Sequence, residues 1–324
     1  MRNKTRIIPL IIAVSLSLLL AACGGGGSAG DKGIKKLTIG LIPIVDVAPV
    51  YVGIQQGFFR EEGIELDPVL AAGGAAIVPA VTSDSYQIGF SNNVSLIIGV
   101  SKGLPLQLVS PGVGISPENR SSNPAAGYCS VVTADSAIQN AADLQGRTVA
   151  VNTLNNIGDV TIKAALQSEG IDPSTVKFTE LAFPDMPAAV EQRRVDAAWA
   201  CEPFVTQLLD RGARPVLDNY DKTDPNLSVA SYFASKQWAT KNPETLAAFK
   251  RAMHKSMVYA TQNPDAVRNV LTQYTSIDAA TAARIGLPAF PETFNESSLD
   301  KLIQYSQEQG LLGGPVTVQQ LVGK

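Results

Sequence analysis

Leu37-Thr38-Ile39-Gly40-Leu41-Ile42-Pro43-Ile44-Val45-Asp46-Val47-Ala48-Pro49-Val50-Tyr51-Val52 passes from a short apolar run into a helix-forming stretch. Leu37 to Ile42 reads as a buried strand, and Ala48 to Gln56 as a helix that stops at Gly57. The same unit repeats further along. Ile64 to Val69 alternates and reads as a strand, and Gly73-Gly74 opens a helix through about Ser83. Tyr86 to Phe90 reads as a strand, Ser91 to Lys102 as a helix and Leu106 to Ser110 as a strand. Repeated strand-helix units with short turns predict a mostly parallel sheet with helices on both faces.

A loop rich in Pro, Gly, Ser and Asn, Gly112 to Gly127, ends this first series. In the second, Tyr128 to Thr133, Thr148 to Val151, Lys177 to Leu181 and Val195 to Ala200 read as strands. Helices fall near Asp159 to Glu169, Pro187 to Arg193 and Pro203 to Arg211, and Leu227 to Ser235 reads as one more strand. The remainder is helical. Asn242-Pro243-Glu244 and Asn263-Pro264 are helix starts, with Asn as the cap and Pro at the first position. Leu246, Phe249, Met253, Met257 and Ala260 form an amphipathic stripe. Further helices fit Asp278 to Ile285 and Ser297 to Gln309. Two α/β series and a helical tail predict a discontinuous first lobe, 37–126 with 235–324, around a second lobe, 127–234. The chain crosses near Gly127 and returns near Ser231, and two crossings make a hinge.

The 324 residues are 45% hydrophobic and 17% charged, which suits a globular α/β protein and excludes a disordered chain. Residues 1–22 read as a signal peptide. Arg2, Lys4 and Arg6 precede an apolar stretch, Ile7 to Leu20, that is too short for a comfortable membrane span. Without those three residues, 23 of the 26 basic side chains remain against 29 acidic ones, a net charge of −6. That balance argues against nucleic-acid binding. Leu20-Ala21-Ala22-Cys23 is similar to a bacterial lipobox, in which the cysteine is acylated; the alternative is plain secretory cleavage near Ala22. Gly24-Gly25-Gly26-Gly27-Ser28 begins a flexible tether, 23–36. Acyl chains on Cys23 would hold the protein at a membrane outside the cytoplasm. There Cys129 and Cys201 either bridge or stay as two buried thiols.

Pro43 to Val52, Gly57-Phe58-Phe59 and Glu62-Gly63-Ile64 resemble the N-terminal signature of the SsuA/TauA/NMT1-THI5-like substrate-binding proteins of ABC importers. Gly89-Phe90-Ser91-Asn92, Asp143 to Ala150 and Val195-Asp196-Ala197-Ala198-Trp199 match in the same order, so the resemblance runs over most of 37–260. It implies a two-lobed periplasmic-binding-protein fold (type II, venus flytrap) with the helical tail packed on lobe 1. It implies a monomer that closes on a small ligand and delivers it to a permease driven by a cytoplasmic ATPase. No enzymatic activity follows. Pyrimidine-precursor binders of the wider family often carry a histidine directly before the Ala-Pro pair, where this chain has Val47, and the cysteine-rich motif of the related pyrimidine synthases is absent; both weigh against a thiamine precursor.

Ligands of open α/β sheets sit beyond the carboxyl ends of strands. Three helices start there: after Gly73-Gly74-Ala75, at Ser91-Asn92-Asn93, and after Asn152-Thr153-Leu154-Asn155-Asn156. Helix N-termini carry unpaired N–H groups and partial positive charge, so three facing one cleft favour an oxyanion. The expected cargo is a sulfonate, taurine or an aromatic carboxylate. The alternatives are a pyrimidine or thiamine precursor or other heteroaromatic, and a sensor or partner-binding lipoprotein without transport. Gly74, Ala75, Ser91, Asn92, Asn93, Asn152, Thr153, Asn155 and Asn156 are candidate ligand contacts, with plain turn and capping roles as the alternative. Asp46 either meets the ligand or caps the helix at Ala48. Tyr51 lines the cleft or packs in the core, and Phe183 stacks on a ligand ring or packs. Asp185 is a contact or a cap, and Glu202 is a hydrogen-bond acceptor for the ligand or a solvated acid at a helix start. His254 is structural. No metal spacing or phosphate loop stands out, and no cofactor is expected.

Overall fold

The computed structural model of the chain describes residues 33–115 and 127–323. The signal peptide, Cys23, most of the Gly tether and part of the Gly112 to Gly127 loop lie outside the described residues. Among those residues are two five-stranded sheets. The first has the order β2-β1-β3-β10-β4, from β1 (Lys35–Leu41), β2 (Ile64–Leu70), β3 (Ile88–Asn92), β4 (Leu106–Gly114) and β10 (Ser228–Ser235). The second has the order β7-β6-β8-β5-β9, from β5 (Cys129–Thr133), β6 (Thr148–Val151), β7 (Lys177–Glu180), β8 (Ala197–Cys201) and β9 (Arg214–Leu217).

In each sheet four of the five strands run the same way, as expected, and one runs against them. β1 runs parallel to β2 and β3, whereas β10 runs antiparallel to β3 and β4. β6 runs parallel to β7 and β8, whereas β5 runs antiparallel to β8 and β9. The reason is the crossing. Strands that stay in their own sheet end at the cleft, but β5 and β10 arrive from the other sheet and start there. All of β10 pairs in the first sheet, so the chain has returned before Ser228, not at Ser231 or 235. Buried Asn93 holds that crossing: its Nδ2 donates to the Ser228 carbonyl at 2.8 Å, and Ser231 Oγ donates to its Oδ1 at 2.7 Å.

Helices α1 (Ala48–Gln55), α2 (Phe58–Glu61), α3 (Gly74–Thr82) and α4 (Asn93–Ser101) belong to the first series. α5 (Ile157–Ser168), α6 (Met186–Glu191), α7 (Phe204–Asp210) and α8 (Asn219–Thr223) belong to the second. Sequence periodicity misses β9 and α8, which are four and five residues long. The tail holds α9 (Lys236–Lys241), α10 (Pro243–Gln262), α11 (Pro264–Val270), α12 (Ala279–Ala282), α13 (Glu296–Glu308) and α14 (Val318–Val322).

The α10 stripe of Leu246, Phe249, Met253, Met257 and Ala260 is buried as its spacing predicts. Phe249 meets Phe59 and Tyr232, so α10 packs on the first sheet. Ser256 of α10 sits so close to Gly53 of α1 that no side chain fits there. The tail also reaches the second series. Arg284 forms a bidentate pair with Asp210, and Gly286 N–H points to Glu202. Asn242 and Asn263 precede Pro as expected but do not cap forward. Each donates its side-chain amide back to the helix before it, to the carbonyls of Trp238 and Tyr259. Among the described residues no helix is long and apolar enough to cross a membrane.

Candidate ligand-binding site

β1, β3, β6 and β8 all deliver their carboxyl ends to one place, where the first sheet faces the second. Val45 N–H donates to the Glu202 carbonyl at 2.9 Å, so the backbones of the two halves touch. Ile42, Ile44, Asp46, Phe90, Asn92, Val229 and Ala230 line a cavity from one side. Asn152, Ile157, Phe183, Trp199, Cys201 and Tyr220 line it from the other. The cavity left among these side chains is small, about 20 Å³. The lining is therefore close-packed, and a larger guest needs the two walls to part.

The chemistry of this lining is one buried acid among rings. Asp46 is 2% exposed, and its Oδ1 finds no hydrogen-bond partner among the described residues. It does not cap α1, which begins without any side-chain cap. Burial pushes its carboxyl up to about 7, opposed only by its own backbone N–H. Burial raises the hydroxyls of Tyr128, Tyr220, Tyr232 and Tyr274, and the nearby Asp46 charge adds to each. Trp199 is held by Phe183 at 5.5 Å and Tyr220 at 6.0 Å between ring centres. Its ring also covers Gly158, where a Cβ would come within 2.6 Å. Trp199 Nε1 is buried without a partner. Among the described residues no Lys or Arg lines the cavity, and no cluster of three or more metal-type ligands occurs.

Of the candidates read from sequence, Asp46, Asn92, Asn152 and Phe183 line this cavity. The others fall around it. Asn92 accepts from Ser95 N–H and caps α4. Asn156 and Asp159 form a capping box on α5, and Asn156 also donates to Asn152. Two of the three helix starts thus spend their N–H groups on their own side chains. The third, α3, has no side-chain cap, and its Gly73 lies against Asn152 and Thr153 of the opposite wall. Gly74 is packed on Ser91, and Ala75 and Asn155 are exposed. Tyr51 stacks on Tyr274 at 4.1 Å. Asp185 is exposed and makes no cap bond. Glu202 is not solvated: it is 4% exposed and accepts from Thr206 N–H, Thr206 Oγ1 and Gly286 N–H. Its carboxyl rises to about 7 through burial.

Cys129 and Cys201 are joined by a disulfide between directly opposed residues of β5 and β8. Sequence reasoning misses Phe90, Trp199 and Tyr220 as lining residues. Trp199 stands in Ala197-Ala198-Trp199-Ala200-Cys201, a strand buried on both faces, so no alternation shows which side chain faces the cleft.

The family model described as NMT1/THI5 like matches residues 44–267, more than half of the chain. The chain belongs to the NMT1/THI5-like family. The formylaminopyrimidine-binding protein of Halalkalibacterium halodurans is 25% identical over 95% of this chain and 88% of its own. The taurine-binding periplasmic protein of Escherichia coli is 27% identical over 64% of this chain and 61% of its own. Among solved structures, the alkanesulfonate-binding protein of Xanthomonas axonopodis pv. citri bound to MOPS superposes with a TM-score of 0.71. It shares 17% identity over 89% of this chain and 96% of that one, which establishes the periplasmic-binding-protein fold.

Proposed function

We propose that this protein is the extracytoplasmic solute-binding component of an ABC importer, which captures a small organic molecule bearing an N–H donor. Its work is capture, not catalysis. The two sheets with their helices act as lobes: the ligand docks on one wall and the other closes over it. The permease then reads the closed form, which the ligand favours only by binding it better. One observation carries the ligand class. The buried acid Asp46 has one oxygen without a partner, in an aromatic cavity where no Lys or Arg occurs among the described lining residues. A bare sulfonate or carboxylate beside it is repelled; an amine or ring N–H is not. Rings on both walls favour an aromatic body.

A second reading is an aminoalkanesulfonate such as taurine. The uncapped start of α3 supports it as an anion site, with Asp46 receiving the ammonium.

A thermal-shift panel of sulfonates, taurine, aromatic carboxylates, nitrate, pyrimidines and riboflavin tests capture. A ligand at 100 times its Kd stabilises by about 2.7 kcal/mol, well within detection. Amine-bearing members are expected to shift the melting curve and plain anions to leave it unchanged. A shift with ethanesulfonate alone refutes the assignment to Asp46.

We also propose that Cys23 is acylated and holds the domain to the membrane. Cys23→Ser is expected to move the protein from the membrane fraction to the soluble fraction and to lower the intact mass by the acyl chains. A protein that stays soluble with Cys23 present excludes the anchor.

A further inference from the structure

We infer that the first lobe carries a second small-molecule site, outside the cleft, that takes an apolar α-amino acid in its zwitterionic form. The site shares no lining residue with the cavity between the sheets, so it goes beyond solute capture there.

A cavity of about 360 Å³ opens between α10, the edge strand β4 and the segment 291–296. Small-ligand sites measure about 300–1,000 Å³. The cleft, by contrast, holds only about 20 Å³. The apolar part of the lining is firmly held. Val109 of β4 and Met257 of α10 are 2% and 1% exposed, and Phe294 adds a half-buried ring.

Charge of opposite sign comes from two sides of this cavity. α10 contributes Lys250 and His254, one helical turn apart on one face, and the segment 291–296 contributes Glu292 and Glu296. The neighbouring cations of α10 are matched, Arg251 by Glu62 and Lys255 by Glu61. Lys250 is exposed and forms no ion pair among the described residues. Glu292 Oε2 lies 3.5 Å from His254 Nε2, too long for a good hydrogen bond. Because Glu292 sits beside His254, its carboxylate and the Lys250 ammonium stand about one helical turn apart over an apolar lining.

A plain carboxylate drawn to Lys250 is repelled by the two acids, and a plain amine drawn to Glu292 is repelled by Lys250. An α-amino acid carries both charges on one carbon. Its carboxylate meets Lys250, its ammonium meets Glu292, and its side chain covers Met257 and Phe294. Charge-assisted hydrogen bonds at both ends then fix its orientation.

Isothermal titration of the purified protein with L-leucine, 4-methylpentanoate and 3-methylbutylamine tests the site. The first offers both charges, the second the carboxylate alone and the third the ammonium alone, all on the same apolar body. Leucine is expected to bind at least tenfold more tightly than either of the others. Lys250→Met is expected to weaken leucine about tenfold and to leave 3-methylbutylamine no weaker. Glu292→Gln is expected to weaken leucine about tenfold and to leave 4-methylpentanoate no weaker. Both side chains are exposed, so neither change disturbs the core. Leucine affinity unchanged in Lys250→Met, equal affinity for all three probes, or no leucine binding at millimolar concentration overturns the site. Leucine binding that is lost in Asp46→Asn but kept in Lys250→Met places leucine in the cleft, which overturns this site and leaves solute capture standing. Leucine binding that follows Lys250 and Glu292 supports the site even if the cleft takes no solute.

Discussion

Breaking the Cys129–Cys201 bridge is expected to destabilise the fold by about 4 kcal/mol. The two residues are 72 apart in sequence. Constraint of a loop of that length in the unfolded chain is worth about 4 kcal/mol in the chain-entropy account. The native cost of losing the bond is small by comparison, since both cysteines stay buried in a paired strand. The bridge ties β5, which starts at the cleft, to β8, which ends there, and Cys201 lines the cavity. Urea unfolding of the oxidised protein, the reduced protein and a Cys129→Ala/Cys201→Ala double variant measures the effect. The reduced protein and the double variant should unfold at similar, much lower urea concentrations. Coincident curves for oxidised and reduced protein would show that the bridge contributes nothing.

Asp46→Asn is expected to stabilise the protein above neutral pH and to do nothing near pH 4. The Asp46 carboxyl rises from 3.8 to about 7 because burial disfavours its charge. A raised carboxyl means that the folded state holds a proton the unfolded chain has released. Stability is then fully present below the unfolded value and is lost as pH rises through the folded one, between about pH 4 and about pH 7. A shift of this size corresponds to about 4 kcal/mol at most, so a gain of about 2–4 kcal/mol is expected for Asn at pH 8. Among the described lining residues none is cationic, and the Asp46 charge acts on the hydroxyls of Tyr128, Tyr220, Tyr232 and Tyr274. Glu202 shifts in the same direction, from 4.5 to about 7, so the wild-type curve falls further than Asp46 alone accounts for. Urea unfolding at pH 4, 6 and 8 reads both slopes. A difference between Asp46→Asn and wild type that is flat with pH would refute the burial argument. The same unmatched acid that costs stability is the group offered to the cargo.

The secondary structure was largely legible because it rests on local rules. The apolar run Leu37 to Ile42 became the core strand β1, and the α10 stripe turned inward as its 3.6-residue spacing requires. Gly57 stopped α1 in the left-handed conformation that glycine tolerates. The short elements β9 and α8 escaped because four or five residues carry too little periodicity. Asp46, Asn92, Asn152 and Phe183, expected at strand ends, line one cavity there. The chemistry of those ends was less legible. Asn92 and Asn156 read equally well as ligand contacts or caps, and only their bonds to Ser95 and Gly158 show that the helix starts satisfy themselves.

By itself the sequence determined the strand and helix series, the family, and an acid placed at the end of the first strand, since each depends on residues close together along the chain. Tertiary structure alone decided that β10 enters the first sheet, that Cys129 faces Cys201, and that Asp46 is surrounded by rings. Phe90, Phe183, Trp199 and Tyr220 come from distant parts of the chain. Their meeting depends on how two crossing strands pair, and burial around Asp46 exists only once both walls are in place. A carboxylate in water and a carboxylate in that cavity are the same letters in the sequence; desolvation separates them, and desolvation is a property of the assembled fold.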